Sequence, residues 1–330
     1  MTNKEENASM ANEVTLDHAV AKLDLATPFW RIDSGRDGHH LVMLNAQHGM
    51  EVQGTEVALR FRDACAECLT SGKVTLVPFA NLPAIRHRRV TSDVGPGQGK
   101  PDTKNRNMQQ TWPGDPEGND IQRIAYALDA KVMSDCDRLV DMHCWGQHQA
   151  AAVLAASDNE HSVSMAKATG LRFVRWGQVP DLTKPIKSSS HMVYSRGGAA
   201  IVIELSGQNQ VQESEVLLGL RAMTNIARML GMMEGQPDLP DGAMIEPTPD
   251  RLESIEAPHG GLFVGADVKP GDRVEHGQEL GHLIRDDTME VVSFTAPTSG
   301  YLWHHGRVGD SWHPYASEGE LLIAIARDPL

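Results

Sequence analysis

The chain has 330 residues, with 30 Lys and Arg against 44 Asp and Glu, and a formal net charge of −14 at pH 7. This length can bury one large or two medium cores, and the acidic balance without a clustered basic face argues against a nucleic-acid partner. The N-terminus lacks the features of a secretory signal, and no apolar run approaches membrane-spanning length. We therefore expect a cytoplasmic protein with a small-molecule partner, no membrane partner, and cysteines that need not form disulfides.

Strand-like and helix-like segments alternate over the first two thirds of the chain, a pattern typical of βαβ units in an α/β fold. Between Asp93 and Gly118 the sequence is rich in Gly, Pro, Asn and Gln with little periodicity, so we expect a long loop of the kind that often carries binding residues. In chain order, the patterns predict a strand at 41–45, a helix at 55–70, strands at 73–78 and 138–142 with a helix at 121–133 between them, a strand at 199–205, and a helix at 215–232.

After Met233 the sequence changes to short strands with frequent turns. A Pro/Gly-rich linker at 235–250 therefore separates a predicted α/β domain at 1–234 from a β domain at 251–330. Segment 257–263 is echoed by 296–302, and each is followed by a Gly-Asp turn. We expect two related β halves packed face to face, whose sheet edges allow a homo-oligomer.

Three residues are candidate metal ligands: His48 and Glu51, spaced as His-x-x-Glu, and His143. Each histidine follows a predicted strand, and the carboxyl ends of strands are where α/β sheets form ligand crevices. Two nitrogens and one carboxylate leave a tetrahedral Zn²⁺ with one position for water, as in catalytic rather than structural sites. From spacing alone, polar loop residues at strand ends are an equally good interpretation.

Other metal-like or redox-like patterns favour structural roles. Cys65 and Cys68 lie in a predicted helix with no second Cys-x-x-Cys, so both are expected to be small packing residues. Cys144 is next to His143, but neighbours on an extended segment point to opposite faces, so it need not be a ligand. Histidines and tryptophans near the C-terminus are interpreted as surface or interface residues: Trp303, His304, His305, Trp312 and His313.

The combined order of motifs is more specific than any one of them. It comprises His48-x-x-Glu51, segment 81–84, Trp112-Pro113-Gly114, segment 141–143, Glu204 on its strand, and the β tail. This order resembles the succinylglutamate desuccinylase/aspartoacylase family of zinc-carboxypeptidase-like hydrolases, over about 41–325. The resemblance implies an α/β fold with a zinc-carboxypeptidase-like mixed sheet flanked by helices.

The repeated β tail resembles a β-sandwich of the biotinyl/lipoyl type. Such a domain normally offers a lysine at a hairpin tip for cofactor attachment. Here no lysine follows Lys269, and the expected hairpin at 286–290 has none. We therefore expect the domain to cover the site or to serve assembly.

The family resemblance also implies roles for single residues. His48, Glu51 and His143 match the ligands of one Zn²⁺ per chain, and Glu204 matches the general base. A carboxylate beside an activated water can take its proton and return it to the leaving amine.

The resemblance also places an oxyanion-stabilising arginine in the cluster at 86–89. Arg89 is the preferred candidate and Arg88 the next, with Arg86 also in the cluster, because one sequence cannot fix the register of this loop. A guanidinium is permanently charged and can donate two parallel hydrogen bonds. A solvated loop charge is an equally good interpretation for each arginine taken singly.

One departure from the family concerns substrate binding. Relatives usually carry Asn-Leu-Asn-Arg before the Trp-Pro-Gly position, where this chain has Asn107-Met108-Gln109-Gln110. We assign Asn107, Gln109 and Gln110 to substrate binding, together with Arg88 and Arg106. Either Arg106 or Lys104 replaces the missing charge, or the substrate has no carboxylate at that place.

These features predict a zinc-dependent amidohydrolase that deacylates an N-acyl amino acid or a related small acylated amine. The same chemistry would suit a carboxypeptidase-like peptidase, although a β domain covering the site would favour small substrates. A non-catalytic zinc or small-molecule binding protein is the alternative from another class.

Overall fold

The computed structural model describes residues 11–91, 106–306 and 314–328. Its larger part is an α/β fold built on one mixed eight-stranded sheet. In chain order the strands are β1 (Val14–Lys22), β2 (Leu25–Asp33), β3 (His40–Asn45), β4 (Lys73–Val77), β5 (Arg138–Trp145), β6 (Ala152–Ala156), β7 (Phe173–Gly177) and β8 (Ala199–Ser206).

The strand order is β1-β2-β4-β3-β5-β8-β6-β7, and the four central strands β4, β3, β5 and β8 run parallel. All four coincide with predicted strands. The antiparallel hairpin of β1 and β2 was not predicted, because the edge strand β1 exposes Leu16 and Val20 and has no continuous apolar run. The parallel centre brings several strand ends to one edge of the sheet.

Helices cover both faces of this sheet. Those on one face contribute Val57, Met165 and Val216 to a first core, and those on the other contribute Ile121 and Met192 to a second. The first face carries α1 (Gln53–Cys68), α4 (Glu160–Ala168) and α6 (Glu213–Met229); the second carries α3 (Asp120–Leu128) and α5 (Ser189–Ser195); and the short α2 (Leu82–His87) follows β4.

Two of the differences from the sequence predictions concern α1 and α3. The predicted helix at 121–133 ends as α3, and the segment Asp129–Met133 continues as a π-helical turn. Cys65 is fully buried in α1, as predicted. Cys68 at the end of the helix is exposed, so the prediction that Cys68 is a packing residue was wrong. The C-terminal turn of α1 simply rotates Cys68 away from the sheet.

The C-terminal part contains two four-stranded antiparallel sheets, as expected from the repeat. The repeated segments start equivalent strands, one in each sheet, and residues such as Phe263 and Leu302 from the two sheets share one core. The sheets are β13-β12-β10-β15 and β11-β14-β16-β9, formed by β9 (Leu252–Glu256), β10 (Gly261–Gly265), β11 (Arg273–Val274), β12 (Glu279–Arg285), β13 (Val291–Thr295), β14 (Gly300–His305), β15 (Tyr315–Ala316) and β16 (Leu321–Ala326).

The two parts are joined by a buried contact centred on Trp303. Its ring packs against Trp145 at 5.4 Å and Phe173 at 4.9 Å between centroids, and its carbonyl accepts the Ala150 amide. The neighbouring His304 is 1% exposed. The prediction of a surface or interface position is therefore refined: Trp303 and His304 lie at an interface within the chain.

Other predictions about the C-terminal part have different outcomes. His305 is half-buried, and its backbone amide donates to the carbonyl of His148. Trp312 and His313 lie outside the described residues, as does Lys104. The domain boundaries at 234 and 250 remain predictions. No described helix combines the length and apolarity needed to cross a membrane.

Candidate active site

The candidate site lies at the carboxyl edge of the parallel strands. The turn after β3 carries His48 and Glu51, β5 carries His143, and β8 carries Glu204. His143 was expected just after its strand but lies inside it, because β5 continues to Trp145. Parallel pairing makes His143 and Glu204 direct register partners, so their side chains lie on the same face of the sheet.

The glycine between the two first ligands allows a close chain approach. A Cβ on Gly49 would lie 2.1 Å from the Ala84 carbonyl oxygen and 2.6 Å from that of Arg89. The Gly49 amide also donates to the Arg89 carbonyl at 2.8 Å. The ligand turn is thus fixed directly against the arginine segment.

The structure brings the three predicted ligands together. Nδ1 of His48 lies 2.9 Å from Glu51 Oε1, and Nδ1 of His143 lies 2.7 Å from Glu51 Oε2. One ligand atom from each residue falls within 4.8 Å of the others, and all three residues are buried. Both histidines therefore present the same ring nitrogen to one shared carboxylate.

The other nitrogen of each ring has a partner behind the site. His48 Nε2 lies 3.0 Å from Asn107 Oδ1, and His143 Nε2 lies 3.1 Å from Asp141 Oδ1. Metal-binding histidines commonly donate their second N–H to a carboxylate or carbonyl oxygen, which fixes the tautomer and ring orientation. This arrangement leaves both Nδ1 atoms directed towards Glu51.

The electrostatics of the cluster favour a cation at its centre. Burial opposes ionisation of Glu51, but His143 and His48 outweigh it and hold the pKa of Glu51 at about 2. Burial likewise opposes protonation of His143, but Asp141 and Glu51 raise the pKa of His143 well above its ordinary value. The two buried carboxylates therefore favour positive charge beside them.

The donor set fits a zinc ion. Two imidazole nitrogens and one carboxylate are the three protein ligands of several catalytic zinc sites, which keep one position for water. The partners behind both histidines provide the orientation that such a site needs. Among the described residues, this is the one cluster of three or more potential ligands.

Glu204 is the fourth chemical group at the site. It is half-buried on β8, and burial raises its pKa to about 7. A carboxylate with a pKa near neutrality can both accept and return a proton at physiological pH. The raised pKa of Glu204 therefore agrees with its predicted role as the general base.

A cleft of about 940 Å³ opens between the α/β part and the β-sandwich. Its lining reaches the cluster through Met50 and Gln208, whereas the three candidate ligands and Glu204 are not among the lining residues. Arg89 lines it from one side and Phe263 and Lys269 line it from the other. Arg89 is half-buried, whereas Arg88 is exposed and lies outside the described lining of the cleft. Arg86 is also exposed, in the last turn of α2. Of the three arginines, Arg89 is thus the one placed at the cleft, although its role at an oxyanion stays a prediction.

The predicted substrate-binding segment lies beside His48. Asn107 caps the 3₁₀ turn Met108–Gln110 and directs its Oδ1 to His48 and to the amide of Gln109. Gln109 is half-buried, and Gln110 and Arg106 are exposed. Asn107 thus supports a candidate ligand directly, and contact of these four residues with a substrate stays a prediction.

The sequence analysis missed several polar residues behind the ligands. Gln47 and Asp141 are buried there, and Gln208 donates to the Cys144 carbonyl at 2.7 Å while its Nε2 lies 3.4 Å from Glu51 Oε1. Asp141 had a usable signal, because residues two apart on a strand share a face and Asp141 precedes His143 by two. The partners of Gln47 and Gln208 are distant in sequence, so no local pattern reveals them.

Comparisons with known proteins agree with this architecture. The catalytic-domain model of succinylglutamate desuccinylase/aspartoacylase matches residues 37–230. An N-α-acetyl-L-2,4-diaminobutyric acid deacetylase from Halomonas elongata is 24% identical over 276 residues, which cover 81% of this chain and 77% of that protein.

Solved structures share the fold over nearly the whole chain. A succinylglutamate desuccinylase/aspartoacylase from Rhodobacter sphaeroides has a TM-score of 0.65 and 20% identity, and the match covers 97% of this chain and 96% of that one. The product-bound ectoine utilization protein from Ruegeria pomeroyi has a TM-score of 0.65 and 18% identity, covering 92% of this chain and 89% of that one. Both matches include the C-terminal sheets as well as the α/β part.

Proposed function

Because the chain belongs to the succinylglutamate desuccinylase/aspartoacylase family, we propose that it is a zinc-dependent hydrolase that removes the acyl group from an N-acyl amino acid or a related small acylated amine. The observation that carries this proposal is the approach of Nδ1 of both His48 and His143 to the two oxygens of Glu51. The Halomonas elongata deacetylase supports the choice of an amide of this type.

The proposed mechanism divides the chemistry among four groups of the chain. A Zn²⁺ ion held by His48, Glu51 and His143 would supply an acidified water and polarise the amide carbonyl. Glu204 takes a proton from this water as the water oxygen adds to the amide carbon. It then gives that proton to the leaving nitrogen, and the C–N bond breaks. The second proton of the water passes to the amine, so the products are a carboxylate and an ammonium ion.

Arg89 completes the proposed reaction at the cleft. Its guanidinium donates hydrogen bonds to the carbonyl oxygen, which gains negative charge as the tetrahedral intermediate forms. The half-buried position of Arg89 strengthens this interaction, because fewer water molecules screen the charge.

The proposal also includes a cytoplasmic location, a biotinyl/lipoyl type for the β-sandwich, and a homo-oligomer.

The test is amine release from a mixed panel of N-acyl amino acids, acylated amines without carboxylates, and short peptides. The zinc-loaded protein is compared with Glu204→Gln and with Glu256→Gln, which changes an exposed glutamate on β9. We expect release from one acyl class, loss of at least about 100-fold in Glu204→Gln, and no change in Glu256→Gln.

Each alternative outcome has a definite meaning. Release from peptides alone would replace the deacylase with the carboxypeptidase-like peptidase. No release from any substrate by protein that holds stoichiometric zinc would contradict the proposed activity and favour a binding protein.

A further inference from the structure

Gln47, the residue before the candidate ligand His48, is fully buried between two other polar side chains. Trp112 Nε1 donates to Gln47 Oε1 at 2.8 Å, and Gln47 Nε2 donates to Asp141 Oδ2 at 2.6 Å. An indole N–H can only donate and a carboxylate can only accept, so these partners permit a single orientation of the Gln47 amide. The position of the Asp141 carboxylate therefore depends on Trp112 through the Gln47 amide.

Asp141 is in turn held by two donors. Its Oδ2 also accepts the Ser189 hydroxyl at 2.7 Å, while its Oδ1 faces His143 Nε2 at 3.1 Å. Asp141 is 2% exposed, so its carboxylate has little water to replace a lost partner. The orientation of the His143 ring thus depends on a chain of contacts that begins at Trp112.

The segment that contains Trp112 also reaches the other histidine. Asn107 and Trp112 flank the 3₁₀ turn Met108–Gln110, and Asn107 Oδ1 lies 3.0 Å from His48 Nε2. Met108 is fully buried and Trp112 is 1% exposed, so the segment is anchored at both ends of the turn. One short segment therefore supports both candidate histidine ligands from behind.

We propose that Trp112 and Gln47 are positioning residues of the metal centre: they fix Asp141, and through it the His143 ring, so that Nδ1 faces the metal. This inference rests on the proposed function only in requiring that the site binds zinc. Because coupling between two equilibria is reciprocal, metal binding also stabilises the segment 107–112, next to the predicted substrate-binding residues. The conformation of segment 107–112 and the affinity for the metal are therefore coupled.

The test is zinc affinity, measured by competition with a chromophoric chelator, together with the visible spectrum of the Co²⁺-substituted protein. Trp112→Phe keeps an aromatic ring but removes the N–H, and Gln47→Met keeps the length of the side chain but removes both polar atoms. Each is expected to weaken zinc binding by about 10-fold or more and to change the Co²⁺ spectrum. The double variant should be no weaker than Gln47→Met, because both changes act through the same contact.

The matched control is Thr169→Val, which removes a buried hydrogen bond from Thr169 Oγ1 to the Ala166 carbonyl at the C-terminal end of α4. It should lower thermal stability and leave zinc affinity unchanged. Wild-type zinc affinity and an unchanged Co²⁺ spectrum in either Trp112→Phe or Gln47→Met would overturn this inference alone. Failure of the wild-type chain to bind zinc would overturn the proposed function as well.

Discussion

Acidification tests how the β-sandwich is joined to the rest of the chain. His304 Nε2 lies 2.6 Å from the Gly306 carbonyl oxygen, and the His304 ring lies 5.0 Å from that of His148. Burial, with the neighbouring His148 and His305, lowers the pKa of His304 from 6.5 to about 4. Between pH 6.5 and about pH 4, His304 is therefore protonated in the unfolded chain but neutral in the folded chain. The free energy of unfolding consequently falls as the pH falls through this window.

The size of the effect follows from the lowered pKa. One pKa unit corresponds to about 1.4 kcal/mol, so His304 lowers the free energy of unfolding by about 2 kcal/mol at about pH 5 and about 3 kcal/mol at about pH 4. Urea unfolding is measured at about pH 7 and about pH 5 for the wild type, for His304→Gln, and for His161→Gln, which changes an exposed histidine of α4.

The wild type and His161→Gln should both lose about 2 kcal/mol more on acidification than His304→Gln does. Other groups titrate in the same window, but they contribute equally to all three proteins and cancel in the difference. An equal loss in all three would refute the reasoning, because it would show that His304 is not buried as a neutral group at the junction.

Three further predictions concern the site. Arg89→Ala should lower kcat by about 100-fold with a small change in KM, while Arg88→Ala, at an exposed arginine, should leave kcat near wild type. Equal kcat values for the two variants in steady-state kinetics would refute the assignment of Arg89. Gly49→Ala should weaken zinc binding in chelator competition, because its Cβ would lie 2.1 Å from the Ala84 carbonyl oxygen, and wild-type affinity would contradict this. Arg106→Ala should raise KM about 10-fold or more for substrates that bear a carboxylate and not for acylated amines, and an unchanged KM in both classes would exclude Arg106 from binding.

The parts of the site that local sequence predicts are those with a short spacing or a strand context. His48 and Glu51 lie in one turn, and His143 and Glu204 lie on apolar strands, so their types and positions indicated metal and proton chemistry before any fold was known. The family resemblance then combined them into one site. The convergence of these four residues is set by the parallel order of β3, β5 and β8.

The parts that sequence does not predict depend on contacts between distant segments. Gln47 meets Trp112 and Asp141 only after the sheet and the segment 107–112 have packed together. The burial of His304 likewise arises because the β-sandwich packs against the α/β part. The residues next to His304 in the sequence do not indicate this burial. The edge strand β1 was missed because tertiary pairing with β2 compensates for its weak apolar pattern.

His143 and Glu204 remain neighbours only while β5 and β8 keep their register. Side chains alternate between the two faces of a strand, so deletion of one residue between Ala199 and Glu204 would turn the carboxylate away from His143 while leaving every ligand in the sequence. Length differences among relatives should therefore fall in loops and spare these two strands. For the same reason, redesign of substrate choice should vary the loops that line the cleft and keep the number of residues in both strands constant.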